Sequence, residues 1–269
     1  YLVGLILVVS VMGSASGEII HEMFGISNLM GIILMMTLVG VIVFFGTPLI
    51  EKLLSFWSII LYGVFAIMFL VVYYLYGDAI GSSFNQQPSD ISWTMGGIKY
   101  AAYNIGLVPA ILFCVRHIKT RKEAIISGLV AGAIGMIPAV FMFFAMLSQY
   151  PNVLNASVPV NAVLDKIGWD WFKLIFQIVL FGTFIETGVG LIHGFNERIA
   201  SVYTALSNQW RSAIGIVLLI VSIFIANAVG LVGLIAKGYG GLTWAYWIIF
   251  VIPVLTIGVW KILKPTFTQ

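Results

Sequence analysis

Thr183, Glu186, Thr187, Gly190 and His193 recur every three or four residues inside an apolar run, so a helix would align them in one narrow polar and small stripe. Glu186 falls near the middle of that run. An ionised carboxylate at mid-membrane depth costs about 2.5 to 3.5 kcal/mol on insertion scales, so it is expected to be paired, protonated or turned toward an aqueous cavity. Two chemistries fit. Glu186 could carry a proton, or its charge could help hold Na⁺ beside the hydroxyls of Thr183 and Thr187. The plainer alternative is a neutral Glu186 hydrogen-bonded to a neighbouring helix.

A second candidate is the sequence Tyr103-Asn104-Ile105-Gly106-Leu107-Val108-Pro109, which interrupts another apolar run. Pro109 removes a backbone donor and Gly106 relaxes the local dihedral restraint, so the spacing predicts either a broken helix or a proline kink. Freed carbonyls and a helix N-terminus at this depth are tolerated where they face protein, water or a ligand, which makes a break a natural binding site. A third set, Ser10, Ser14, Gly17, Glu18 and His21, lies along one side of the first span. The run from Gly13 to Gly17 offers a backbone surface that a ligand or another helix can approach closely. Glu18 is expected nearer the outer interface, where hydration alone could explain it. His21 and Glu22 are too sparse for a metal site, because adjacent residues on a helix point in different directions.

Eight apolar spans must position these residues: A (1–24), B (29–45), C (50–76), D (95–117, interrupted near 103–109), E (124–147), F (169–195), G (213–236) and H (243–263). With 61% hydrophobic and 9% charged residues and a mean hydropathy of +1.09, the chain reads as a single all-α integral membrane domain over 1–269. Runs such as 214–236 are apolar on every face and too long for the strands of a membrane barrel. Lys52, Arg116, Lys119, Arg121, Lys122, Arg198, Arg211, Lys261 and Lys264 gather at one set of span ends, against Lys99, Lys166, Lys173 and Lys237 at the other. The first face, with the C-terminus, is therefore expected to be cytoplasmic, and the loops 78–92 and 148–170 outside. The second loop contains 159–166, an amphipathic stretch suited to lying across the bundle.

Tryptophans near span ends read as interface anchors, and Gly128-xxx-Gly132 with Gly135 in E, and Gly230 with Gly233 in G, read as close helix packing. Asn227 is expected to bond between helices. The lone Cys114 excludes an internal disulfide. The net charge of +3 gives no sign of nucleic-acid binding, and no phosphate-cradling loop, HExxH or nucleophile elbow occurs. Tyr1 already lies inside an apolar run, so the chain is expected to be part of a longer polypeptide.

Met12-Gly13-Ser14-Ala15-Ser16-Gly17-Glu18 with His21-Glu22-Met23-Phe24-Gly25, Tyr100-Ala101-Ala102-Tyr103-Asn104, and the run from Phe181 to Gly190 ending in His193-Gly194-Phe195-Asn196-Glu197-Arg198 resemble the YkvI-type bacterial membrane proteins. That family is similar to the amino acid, polyamine and organocation transporters with the LeuT-type five-plus-five inverted repeat. The resemblance implies that spans A to H are the third to tenth helices of that architecture, without its first two. It makes D the broken helix opening the second repeat. It nominates Tyr103, Asn104 and Gly106, beside Ser14 and Gly17, for substrate contact, and Thr183 with Thr187 for Na⁺. Glu186 departs from the neutral ligands of the usual Na⁺ site and leaves H⁺ coupling open. The implied first two helices would come from the same or another chain.

These readings lead to a secondary active transporter of the bacterial inner membrane, moving an amino acid or related amine by Na⁺ or H⁺ symport, with no other cofactor and with lipid around it. A non-transporting receptor subunit, as in germinant sensing, is the alternative. An integral membrane enzyme using Glu18, Glu186 and His193 is disfavoured, because spacing places no acid, base and nucleophile together.

Overall fold

A computed structural model describes residues 1–45, 47–86, 92–106, 108–156, 158–203 and 207–264, and every regular element among them is helical. The helices are α1 (Leu2–Phe24), α2 (Asn28–Phe45), α3 (Thr47–Asn85), α4 (Ser92–Ile105), α5 (Val108–Ile111), α6 (Arg121–Leu147), α7 (Pro159–Ile167), α8 (Asp170–Val202), α9 (Asn208–Gly233), α10 (Gly240–Tyr246) and α11 (Val259–Leu263). Five helical stretches are long and apolar enough to cross a membrane: Leu2–Phe24, Ser55–Asn85, Arg121–Leu147, Asp170–Val202 and the continuous run Asn208–Leu263. Asn28–Phe44 is a shorter apolar helix.

This arrangement corrects the expected spans in two places, at the end of C and between G and H. Span C ends at a kink rather than a loop: Tyr76 leaves helical geometry (φ −134°, ψ 24°), and helix resumes to Asn85. The expected loop 78–92 is thus helical in its first half, while 87–91 lie outside the described residues. Within span D, α4 stops at Ile105 and α5 begins at Val108, inside the interruption expected near 103–109. Spans G and H are not separated by a loop. The run from 208 to 263 continues through wide π-type turns at Leu234–Tyr239, Trp247–Val251 and Val254–Gly258. Straight, it would be roughly 84 Å long, far beyond a hydrocarbon core of about 30 Å. The interruption sits at Gly230, whose φ of 72° and ψ of 166° are accessible to glycine and strained for other residues. Gly230 therefore bends the chain where close packing was expected.

Among the described residues three buried apolar clusters hold the helices together, the smallest joining Val11 and Ala15 of α1 to Leu231 and Leu234; the other two are larger. One gathers Leu5, Val9, Met35, Met36, Val39, Ile192, Leu218 and Leu219 from α1, α2, α8 and α9. The other gathers Phe65, Met68, Val72, Ala145, Val163, Leu164 and Phe176 from α3, α6, α7 and α8. Both α3 and α8 contribute buried residues to each of these two: α3 gives Ile50 to the first and Phe65, Met68 and Val72 to the second, and α8 gives Val189, Leu191 and Ile192 to the first and Phe172 and Phe176 to the second. Between those blocks, residues 181–187 are half-buried, so the Thr183–Thr187 stripe lies where α8 passes from one core to the next.

The α1–α2 crossing is tight because glycines remove the side chains that would separate the backbones. A Cβ on Gly17 would stand 2.7 Å from the Asn28 carbonyl oxygen, and one on Gly31 would stand 2.9 Å from the Gly17 Cα. The expected packing role of Gly128, Gly132 and Gly135 is not met within the chain: a Cβ at any of them would meet nothing within 4 Å among the described residues. Residues 121–137 of α6 are exposed, and only the second half of α6 packs against its neighbours. Asn227 likewise lies on an exposed face of α9 rather than bonding inward.

Candidate functional site

The α8 stripe meets α3. Trp57 Nε1 donates to Thr183 Oγ1 at 3.1 Å, and Ser58 Oγ lies 3.5 Å from Glu186 Oε1. Gly182 makes this approach possible, since a Cβ there would fall within the Trp57 ring, 2.6 Å from its Cε2 atom. Glu186 is half-buried and turns toward a neighbouring helix, as the insertion cost demands. Trp57, read from its position as an interface anchor, bonds between helices instead; nothing in single-sequence spacing distinguishes the two uses.

The hydroxyls have definite hydrogen-bond states. Thr183 Oγ1 donates to the Val179 carbonyl at 2.8 Å, and Thr187 Oγ1 donates to the Thr183 carbonyl at 2.8 Å. Each proton is therefore spent within α8, leaving oxygen lone pairs outward. On Thr183 one lone pair already accepts from Trp57, so a cation there would compete with the indole N–H. Thr187 carries no such competitor among the described residues. Glu186 and Thr187 each carry oxygen acceptors, on consecutive residues whose side chains leave α8 in different directions. No group of three or more His, Cys, Asp or Glu that could hold a metal occurs among the described residues.

The break in span D packs on the same helix, α8. After Ile105 the chain turns at Gly106, Leu107 lies outside the described residues, and α5 begins at Val108, followed by a tighter 3₁₀ segment at Leu112–His117. Both α5 and that segment pack on α8. Aromatic rings enclose the turn. Tyr103 stacks on Tyr239 with centroids 5.1 Å apart and meets Tyr100 edge-on at 5.3 Å, while a Cβ on Gly106 would stand 2.5 Å from the Tyr246 ring. Trp247 Nε1 donates to the Ile98 carbonyl at 3.3 Å, fixing the long C-terminal run against α4. Asn104 is exposed, and its Nδ2 donates to the Tyr100 carbonyl at 2.7 Å. The side chains of Cys114 and Arg116 lie outside the described residues.

The remaining candidates fall on other seams. Ser14 is buried at 5% exposure on α1, and Gly17 faces α2. Glu18 Oε1 accepts from Asn28 Nδ2 at 2.9 Å, also on α2. His193 is buried at 4% exposure on α8, nearly two turns beyond Glu186, close to Asn196, whose Nδ2 donates to the Arg211 carbonyl at 3.1 Å. The structure therefore joins Thr183, Glu186 and Thr187 to α3, and Tyr103 and Gly106 to the C-terminal run. Ser14, Gly17 and Glu18 sit on the α1–α2 side of the bundle.

Fold and site together define a helical, multi-pass membrane protein with a polar stripe between two apolar cores. The chain is similar to the uncharacterized membrane protein YkvI of Bacillus subtilis (strain 168), with 22% identity over 240 residues, 86% of this chain and 65% of the relative. It thus spans just under two thirds of the length of the curated relative it matches. No family model matches the chain, and no solved structure matches it.

Proposed function

We propose that the chain is the membrane domain of a secondary active transporter that moves a small organic solute, an amino acid or related amine, in symport with Na⁺ or H⁺. The observation that carries this reading is Glu186: a half-buried carboxylate in the middle of a spanning helix, turned toward Ser58 and flanked by Thr183 and Thr187, with an interrupted helix packed against the same α8. In this reading a broken helix packed on the helix that carries an intramembrane carboxylate would supply backbone groups for a solute and a titratable or cation-binding group for the driving ion. The LeuT-type arrangement, the bacterial inner membrane and a cytoplasmic basic face complete the proposal, and rest on the sequence motifs and the distribution of Lys and Arg. Coupling would then be a binding free energy between adjacent sites, each ligand favouring the conformation that holds the other.

The test is uptake of labelled amino acids and amines into proteoliposomes of the full-length protein under imposed Na⁺ or H⁺ gradients, with Glu186→Gln in parallel. Gradient-driven uptake lost in the variant is the expected result. Uptake that persists undiminished in Glu186→Gln would remove the coupling role. Ligand binding with no flux under any gradient would overturn transport and favour the receptor reading.

A further inference from the structure

Helices α3 and α6 run side by side in the same direction. Tyr62 Oη donates to the Ile134 carbonyl at 2.7 Å, and Phe69 stacks on Phe141 with ring centroids 4.9 Å apart. Both pairs have the same sequence offset, which fixes the register and places the two helix starts at one end of the bundle. By that register Lys52 on α3 stands level with Ala124 on α6, within a turn of Arg121 and Lys122. Lys119 precedes them, and all four cations are exposed. Among the described residues none of the four has an ion pair. The nearby Glu123 carboxylate accepts from the backbone N–H groups of Lys119 and Thr120, so it is held at the helix start as a cap. The side chain of Glu51 lies outside the described residues.

Near these charges the two helices do not close on one another. Every residue of α6 from 121 to 137 is exposed, and the pair packs firmly only beyond it, where Phe141 and Phe144 meet Phe69. A groove of about 470 Å³ opens on α3 along this stretch, lined by Lys52, Ser55, Phe56 and Ile59. Lys52, Ser55 and Ile59 fall on the helical stripe that continues to Tyr62, which places the groove on the side of α3 that turns toward α6. Phe56 and Ile59 are exposed, as are Ile126 and Leu129 at the same height on α6. Positive charge therefore sits at one end, and apolar surface runs from there toward the middle of the span. That polarity along one axis matches an anionic phospholipid, with its phosphate at the interface and its acyl chains beneath. A second copy of the chain would bring the same four cations to the same face and be repelled. A soluble acidic partner would meet the charges and leave the apolar groove unfilled.

We propose that the α3–α6 cleft headed by Lys52, Lys119, Arg121 and Lys122 is a binding site for an anionic phospholipid, its phosphate held by the cations and one acyl chain laid in the groove along Ser55 and Ile59. The same segment of α3 carries Trp57 and Ser58, which bond to Thr183 and Glu186 on α8. Lipid in the cleft thus touches the helix that holds the candidate coupling stripe. The site requires only that the chain span a membrane, and it stands whether or not the protein transports.

The full-length protein in a neutral detergent, titrated with dioleoyl phosphatidylglycerol and followed by native mass spectrometry, tests the site. Dioleoyl phosphatidylcholine supplies the same chains without net charge, and glycerol phosphate supplies the anion without chains. Saturable binding of phosphatidylglycerol is expected, with both comparison compounds about tenfold weaker or more. Each charge removed is worth about a fivefold loss, so Lys52→Gln with Arg121→Gln should weaken binding roughly 25-fold. Lys52→Arg with Arg121→Lys keeps the charges and should keep the affinity. Lys261→Gln with Lys264→Gln removes the same charge elsewhere and should leave affinity unchanged. Unchanged affinity in Lys52→Gln with Arg121→Gln, an equal loss in Lys261→Gln with Lys264→Gln, equal binding of phosphatidylcholine, or full competition by glycerol phosphate would each overturn the proposal. So would a dimer whose formation excludes the lipid, which would give this face to a second copy. Lipid binding without vesicle uptake would leave the site standing and count only against transport.

Discussion

Gly182→Ala adds one methyl group at the seam that positions the candidate coupling residues. The new Cβ would fall within the Trp57 ring, 2.5 Å from Cη2 and 2.6 Å from Cε2, whereas carbon atoms in contact rest about 3.5 to 4.0 Å apart. Cζ2 of the ring is closer still, so the indole must retreat by roughly 1.5 to 2 Å. Its Nε1 sits 3.1 Å from Thr183 Oγ1, so a retreat of that size takes the pair beyond hydrogen-bond range. Overpacking costs about 1 to 3 kcal/mol, and the lost bond about 0.5 to 1.5 kcal/mol. Replacing glycine within a helix returns about 1 kcal/mol, which leaves a net destabilisation of roughly 0.5 to 3.5 kcal/mol. Thermal unfolding in detergent or nanodiscs would read this as a lowered midpoint, with Gly128→Ala as the control, since a methyl group there enters open space. A Gly182→Ala protein as stable as its parent, or more stable, would refute the claim that Trp57 is wedged against α8.

Two further outcomes follow from backbone geometry. Gly230→Ala should cost about 1 to 3 kcal/mol, because φ of 72° with ψ of 166° lies in a region open essentially to glycine; an unchanged midpoint would mean that the long C-terminal run bends elsewhere. At the start of α6, Thr120 Oγ1 accepts from Glu123 N at 3.2 Å while Glu123 Oε2 accepts from Lys119 N and Thr120 N at 2.9 and 3.3 Å. This reciprocal cap is exposed, so Thr120→Ala should lower stability by about 1 kcal/mol without altering ligand binding, as a paired measurement of unfolding and affinity would establish.

Placement of the candidate site divides between what is local and what is shared. The polar stripe of α8 was legible because its residues lie on one helix, where a 3.6-residue period suffices to put Thr183, Glu186 and Thr187 side by side. Its partners were not. Trp57 and Ser58 are more than 120 residues earlier, and their meeting with α8 depends on Gly182 leaving room for an indole. Likewise Tyr239 and Tyr246 could not be assigned to the turn at Gly106, since stacking partners are chosen by how two helices cross.

Legible in the chain alone were the all-helical membrane character, the interruption near Gly106 and a carboxylate in the middle of a long apolar helix. Each is written in composition, run length or local spacing, and apolar runs of this length have few other structures open to them in a bilayer. Only the tertiary structure decided that Gly230 bends the chain while Gly128 and Gly132 face open space, that α8 bridges two cores, and that Asn161 reaches Glu22 from α7. A glycine permits a bend, a close approach or an exposed face equally well, and which one is realised depends on the surfaces that the rest of the chain brings to it.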